Sequence, residues 1–384
     1  MKKMIVFSAF FLLFGVGCST SSLISRETSR FGQVVSAETL GVDTAPVPTP
    51  GVGTGGAGGK GGWVRLADET FAWGNIEKES RGVYDWTTTD REVQKWQALD
   101  QEILVVLWPF AQWDQESCHG KLEQQKMKSI CFVEGYENWI RAVVDRYDFD
   151  GENDMPGLLH AVSHFEIGLE PNFQIFPLAY GEVFRLAHDV IKKENPTTVV
   201  LWGAIANLSD DTRRYWKALF EMDRTRGDMA TLQSYAPSND FLAKEVRAFV
   251  SGYGFPTRPL WITAARVDTG QESSTPEDLA RLTFVNYVSA FANGAEKIFS
   301  IEEKPSATVV LMHALIGGFQ TVERLGDHVV KFDLGDHVVY ALWSDAVLPE
   351  DVNGRVDVMN VEGNKKRMGA RNVKADEPIF VIVE

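Results

Sequence analysis

Residues 164–172 read His-Phe-Glu-Ile-Gly-Leu-Glu-Pro-Asn. The run begins like a strand, delivers a carboxylate at Glu170, and is then stopped by a proline that opens a polar loop. A second run, Arg-Pro-Leu-Trp-Ile-Thr-Ala-Ala-Arg at 258–266, has the same strand character but ends in alanines. Chemistry that runs through paired carboxylates needs an acid at both places. The sequence supplies one.

Outward from these two runs, short β-rich stretches alternate with longer amphipathic ones. Strands are expected at Trp63–Ala67, Ile103–Pro109, His164–Glu170, Thr198–Ile205, Met229–Tyr235, Leu260–Ala264 and Lys297–Ile301. Helices are expected between them, among them Asp90–Gln101, Tyr136–Tyr147, Ala179–Glu194, Asp211–Glu221, Asp240–Ser251 and Pro276–Asn293. Repeated strand–helix–strand order predicts a parallel sheet with helices outside, and an eighth strand would close a (β/α)8 TIM barrel. The best candidate for that strand is Phe31–Val35, a poor one. After residue 323 the texture changes to alternating runs with Gly and Asp turns, such as His328–Leu334 and His337–Trp343. They predict a small antiparallel C-terminal β domain over 324–384, with the barrel over 63–323.

The N-terminus reads as an export signal. Lys2 and Lys3 precede an apolar stretch over 4–16 that is too short to remain as a membrane span. It ends Gly15-Val16-Gly17-Cys18, which resembles a bacterial lipobox and makes Cys18 a lipidation site; the alternative is plain secretion with Cys18 discarded. Residues 1–18 are thus the signal, and the chain is expected in the cell envelope, anchored to a membrane by lipid. Residues 19–62 are rich in Ser, Thr, Pro and Gly and read as a flexible tether. A Gly-x-Gly-x-x-Gly match at 51–56 has no flanking strand or helix and carries no nucleotide-binding meaning. In an oxidising compartment Cys118 and Cys131 can form a disulfide; two free thiols are the other reading.

The net charge of −15 opposes a nucleic-acid partner. Eleven Trp supply flat apolar faces of the kind sugar rings stack on, although most Trp is core. Oligomeric state is not legible, and neither a cofactor nor a metal is expected. Asp148, Asp150, Glu152 and Asp154 alternate like calcium ligands but lack a complete binding loop, and read as an acidic turn. His160 and His164 are four apart on a loop and strand rather than a helix, which disfavours a zinc pair.

At this point the chain resembles a family. Trp63-Val64-Arg65, the run Phe71–Glu77, Gly82-Val83-Tyr84-Asp85-Trp86, Arg146-Tyr147-Asp148, Glu170-Pro171-Asn172 and Pro259–Thr263 are similar to segments of clan A glycoside hydrolases, of the β-xylosidase and endoglycanase kind. The resemblance covers about residues 63–305. It implies a (β/α)8 barrel with the acid/base glutamate at Glu170. It also implies a nucleophilic glutamate at the end of the seventh strand, where this chain has Ala264. The Asn that precedes the acid/base residue in that clan is Leu169 here. A methyl group can neither attack an anomeric carbon nor stabilise positive charge.

The expectation is therefore a catalytically impaired, glycoside-hydrolase-like protein that binds carbohydrate. Arg65, Trp108, Trp113, Leu169, Trp202 and Tyr235 stand at or just past strand ends and are the candidate sugar contacts. Two alternatives stay open: an active glycosidase with a displaced second carboxylate, for which Glu302 and Glu303 were weighed against a solvated loop, and an envelope assembly or protein-interaction module. Glu166 shares a strand face with Glu170 by the two-residue period and is expected to pair with a buried Arg such as Arg65 rather than to do chemistry.

Overall fold

The computed structural model describes residues 29–35, 62–78, 81–120, 127–223, 225–235, 237–255, 258–268, 270, 274–302 and 305–384. Eight parallel strands form a barrel. They are Phe31–Val34, Trp63–Arg65, Glu102–Trp108, His164–Ile167, Val199–Trp202, Ala230–Ser234, Leu260–Ala265 and Ala295–Ser300, first to eighth in chain order. Neighbours in sequence are neighbours in the sheet, and the first strand lies between the second and the eighth. The fifth and sixth strands meet through isolated bridges rather than a full ladder. Ile205 N–H donates to Thr231 O at 3.0 Å and Gln233 N–H to Ile205 O at 3.1 Å.

The poor strand candidate is therefore part of the barrel, inside the 19–62 stretch that reads as tether. Its weak signal has a steric origin. A Cβ on Gly32 would stand 2.4 Å from the Phe299 ring, so this position gives up an apolar side chain to let Phe299 fill the barrel interior. Trp63, Leu104, Leu201, Trp261 and Phe299 make that inner core. The His164 ring stacks on Trp261 with centroids 5.1 Å apart. Lys297 lies below, with Nζ 4.4 Å from the Trp63 ring centre and hydrogen-bonded to the Ser29 carbonyl. Burial among these groups keeps Lys297 well below its ordinary pKa.

The outer core packs helices onto the barrel. Long helices at Thr87–Ala98, Val133–Tyr147, Pro177–Glu194, Asp210–Met222, Ala243–Ser251 and Pro276–Ala292 occupy the expected places. Their apolar residues recur at helical spacing and face the sheet. In Pro276–Ala292, Thr275 and Asp278 form a reciprocal capping box, and proline fills the first turn where its missing N–H costs nothing.

A six-stranded antiparallel sheet closes the chain, in the order Thr321–Gly326, Val329–Asp333, Val338–Leu342, Ile379–Val383, Arg355–Asn360, Lys365–Gly369. It packs on helix Pro276–Ala292 through Phe284 against Phe380, centroids 4.8 Å apart. Its two edge strands escape sequence reading because they are exposed and charged, with no apolar alternation. Cys118 and Cys131 are bonded, S–S 2.02 Å. Among the described residues no helix is long and apolar enough to cross a membrane. Cys18 and the 51–56 glycine run lie outside the described residues.

Candidate functional site

The fourth strand places the acid. Its last residue, Ile167, is followed by Gly168 at φ +74°, a left-handed conformation that glycine adopts without penalty. A short helix Pro171–Gln174 then begins directly after Glu170. Tyr180 pins this corner from below. Its hydroxyl donates to Ile167 O at 2.8 Å and accepts from Gly203 N–H at 2.6 Å, tying the ends of the fourth and fifth strands together. Gly203 is required here, because a Cβ would come within 2.8 Å of Ile167 O.

Below Glu170, the expected ion pair is present. Arg65 Nε lies 2.9 Å from Glu166 Oε2, and Thr263 Oγ1 donates to Glu166 Oε1 at 3.2 Å. Arg65 is 2% exposed and Glu166 fully buried. Desolvation pushes the Glu166 carboxyl up, against the pull of Arg65.

Sequence reading missed a third carboxylate, Asp68, whose Oδ1 sits 2.9 Å from Arg65 Nη1. Its only signal was a spacing of three residues from Arg65, beyond a strand end. Asp68 is the acid that acts on Glu170. The Glu170 carboxyl is raised above the usual carboxylate range, first by burial and then by the Asp68 charge, with Arg65 opposing. The described residues offer the Glu170 carboxylate no hydrogen-bond donor. Glu302 belongs elsewhere: its carboxyl engages the Ser306 N–H and faces Tyr287. Glu303 lies outside the described residues.

Opposite, Ala264 is buried and pairs in register with Gln233 across a one-residue bulge after Leu232 and Ile262. Gln233 was also missed, though it shares a face with Tyr235 by the two-residue period. Tyr235 donates its hydroxyl to Gln233 Oε1 at 2.8 Å and feels the charges of Glu170 and Arg65, which places it in the mouth. Two donors there have no hydrogen-bond partner among the described residues, Arg65 Nη2 and Gln233 Nε2. Trp108 is half-buried next to Gly168 and lines the same corner. Leu169 is half-buried and brings no hydrogen-bonding group.

Two expected contacts are corrected. Trp202 points out of the barrel, since the alternation that puts Leu201 inside puts its neighbour outside. It stacks on Phe184 at 3.5 Å between centroids and is no sugar platform. Trp113 is taken up by loop packing, its Nε1 donating to Glu77 O at 2.9 Å and its ring wedged between Trp73 and the Arg81 guanidinium.

His164, locked among rings, has its pKa lowered to about 3 by burial. It shares no ligand geometry with His160, which bonds Gln97. Asp148, Asp150 and Asp154 do converge, yet Asp154 accepts the Phe149 and Gly151 N–H groups at 3.0 and 2.8 Å, knitting the acidic turn itself.

No protein-family model and no curated protein matches the sequence. Solved structures do. A family 39 glycoside hydrolase from Bacteroides cellulosilyticus WH2 superposes with TM-score 0.63 at 11% identity, covering 93% of this chain and 81% of that one. A GH39 β-xylosidase from Caulobacter crescentus gives 0.55 at 15%, over 84% and 88%. A BuGH86 variant in complex with neoagarooctaose gives 0.58 at 10%, over 93% and 75%. At these identities the likeness is one of fold: this chain shares the (β/α)8 barrel architecture of those GH39 and GH86 proteins.

Proposed function

We propose that the barrel is a carbohydrate-binding relative of the glycoside hydrolases that lacks their double-displacement chemistry. One observation carries this reading. Ala264 occupies the seventh-strand position where the resemblance requires the nucleophile, while the proton donor position keeps Glu170. Retaining hydrolysis needs two carboxyl groups about 5–5.5 Å apart, and losing the nucleophile costs on the order of 10³-fold or more in rate. The mouth nevertheless keeps an aromatic wall of Trp108 and Tyr235 beside polar groups, a combination suited to sugar.

The test has two arms. Purified protein incubated with aryl glycosides and with xylan- or glucan-type oligomers is expected to show no turnover. Calorimetric titration with a glycan panel is expected to show binding. Turnover that disappears in Glu170→Gln overturns the impaired reading; no heat with any glycan favours a protein-interaction module instead.

A second reading has its own support. Asp68 acts on Glu170 and could serve as the base of an inverting reaction, in which the carboxyls stand about 6.5–9.5 Å apart around a water. Loss of any measured turnover in Asp68→Asn, with an inverted anomer as first product, would establish it.

We further infer that Cys18 is acylated and that the protein works in the envelope. The bonded Cys118–Cys131 pair supports an oxidising compartment. Radiolabelled palmitate incorporation, lost in Cys18→Ser, tests the anchor.

A further inference from the structure

A cleft of about 530 Å³ lies between the barrel and the C-terminal sheet, and none of the mouth residues lines it. One wall is a stripe of helix Pro276–Ala292, where Leu282, Val285 and Ser289 recur at helical spacing. The facing wall is the Asp327–His328 turn together with Trp343 and Ser344, just past the strand Val338–Leu342. The two walls are fixed to each other. Arg281 on the helix grips Glu377 with two nitrogens, at 3.0 and 2.7 Å, and Phe284 packs on Trp343 with ring centres 6.0 Å apart.

The cleft is lined by polar groups with nothing to bond. Trp343 and Ser289 are only 5% and 6% exposed. Neither the Trp343 indole N–H nor the Ser289 hydroxyl has a hydrogen-bond partner among the described residues. The indoles of Trp139 and Trp216 also lack partners but are sealed from water; these two atoms keep open surface, and the cleft is the space both side chains line. At the rim, the Asp327 carboxylate and the His328 ring nitrogens have no hydrogen-bond partner among the described residues either. The remaining charges are engaged, Arg281 with Glu377 and Asp278 with Thr275 in the capping box.

An apolar floor ringed by unengaged donors and an acceptor suits a neutral ring that carries several hydroxyls. An anion would meet Asp327, with the nearby Arg281 already held. A peptide would look for backbone partners, and the helix wall has none to give. A second hollow of about 440 Å³ shares Ser274 with the cleft and reaches Arg266, the residue after the seventh strand. The pair thus runs from the barrel rim to the β domain, with room beyond a single ring.

We propose that this cleft is a second carbohydrate site, separate from the mouth, for neutral units of a polysaccharide. A sugar ring lies on Leu282, Val285 and Trp343, and its hydroxyls meet Trp343 Nε1, Ser289 Oγ and the Asp327 carboxylate. The site stands whether or not the mouth also binds sugar.

The experiment is calorimetric titration with neutral xylan-, glucan-, mannan- and galactan-type hexamers and with a galacturonate hexamer. The variants are an Asp327→Ala, His328→Ala double substitution on the exposed turn, Ser289→Leu, which fills the floor, and Trp108→Ala in the mouth, each checked by thermal melting. At least one neutral hexamer is expected to bind at two sites per protein. The double variant should weaken one of them tenfold or more, and Trp108→Ala should leave that one within about threefold. If the double variant fails to fold, Ser289→Leu carries the comparison. A single site that ignores Trp108→Ala and is lost in the cleft variants upholds the cleft and removes the mouth. Binding lost in Trp108→Ala and untouched by the cleft variants overturns the cleft while the mouth reading stands. Tighter cleft binding of galacturonate overturns the neutral class, and no binding of any hexamer overturns both sites.

Discussion

Arg65 and Glu166 form an ion pair inside the barrel, Nε to Oε2 at 2.9 Å, with almost no surface of either side chain reaching solvent. Such a pair is expensive to break from one side, because the survivor stays charged and buried. Glu166→Ala is expected to cost about 3–5 kcal/mol in urea denaturation, whereas replacing both residues with apolar ones of similar volume should cost much less.

Glu170 behaves in the opposite sense. Its folded pKa is raised, so its contribution to stability is complete below the unfolded value of about 4.3 and is lost as pH rises through the folded one. At neutral pH the ionised carboxylate is a liability. Glu170→Gln should therefore raise the melting temperature at neutral pH and leave it unchanged in acid.

His164 sets an acid-side dependence. Its pKa falls from 6.5 to about 3 on folding. The stability it contributes is whole above the unfolded value and is lost as pH drops through that window, at up to about 1.4 kcal/mol per pH unit. Denaturation curves at two pH values inside the window should differ more in the parent protein than in His164→Phe.

Gly32 and Phe299 are expected to be coupled. Gly32→Ala sets a methyl 2.4 Å from the Phe299 ring and should destabilise the barrel by about 1–3 kcal/mol. Phe299→Leu added to it should recover part of that loss, which a double-mutant cycle measures directly.

The vacancy at Ala264 yields a gain-of-function test. Ala264→Glu restores a carboxylate at the end of the seventh strand, in register with Gln233 on the sixth. Aryl-glycoside cleavage should rise from undetectable to measurable, and Glu170→Gln in the same background should remove it.

The barrel was legible because its strands are buried on both faces and its helices on one, which writes two distinct periods into the sequence. The ion pair of Arg65 with Glu166 followed from that period alone. Asp68 did not, since a loop residue has no period to betray which way it faces. Trp202 misled because a strand's last residue was assigned to the mouth when alternation turned it outward. The edge strands Thr321–Gly326 and Lys365–Gly369 were silent, being mostly exposed and without apolar alternation.

The first strand pairs with the second on one side and the eighth on the other, in a stretch whose composition suggests nothing but linker. Trimming the protein for expression at Trp63, where regular texture begins, would pull one stave from the cask. Two raw ladders of peptide groups would face each other across the gap, and the Lys297 amine would lose the Ser29 carbonyl that holds it. A shortened version of this kind should precipitate.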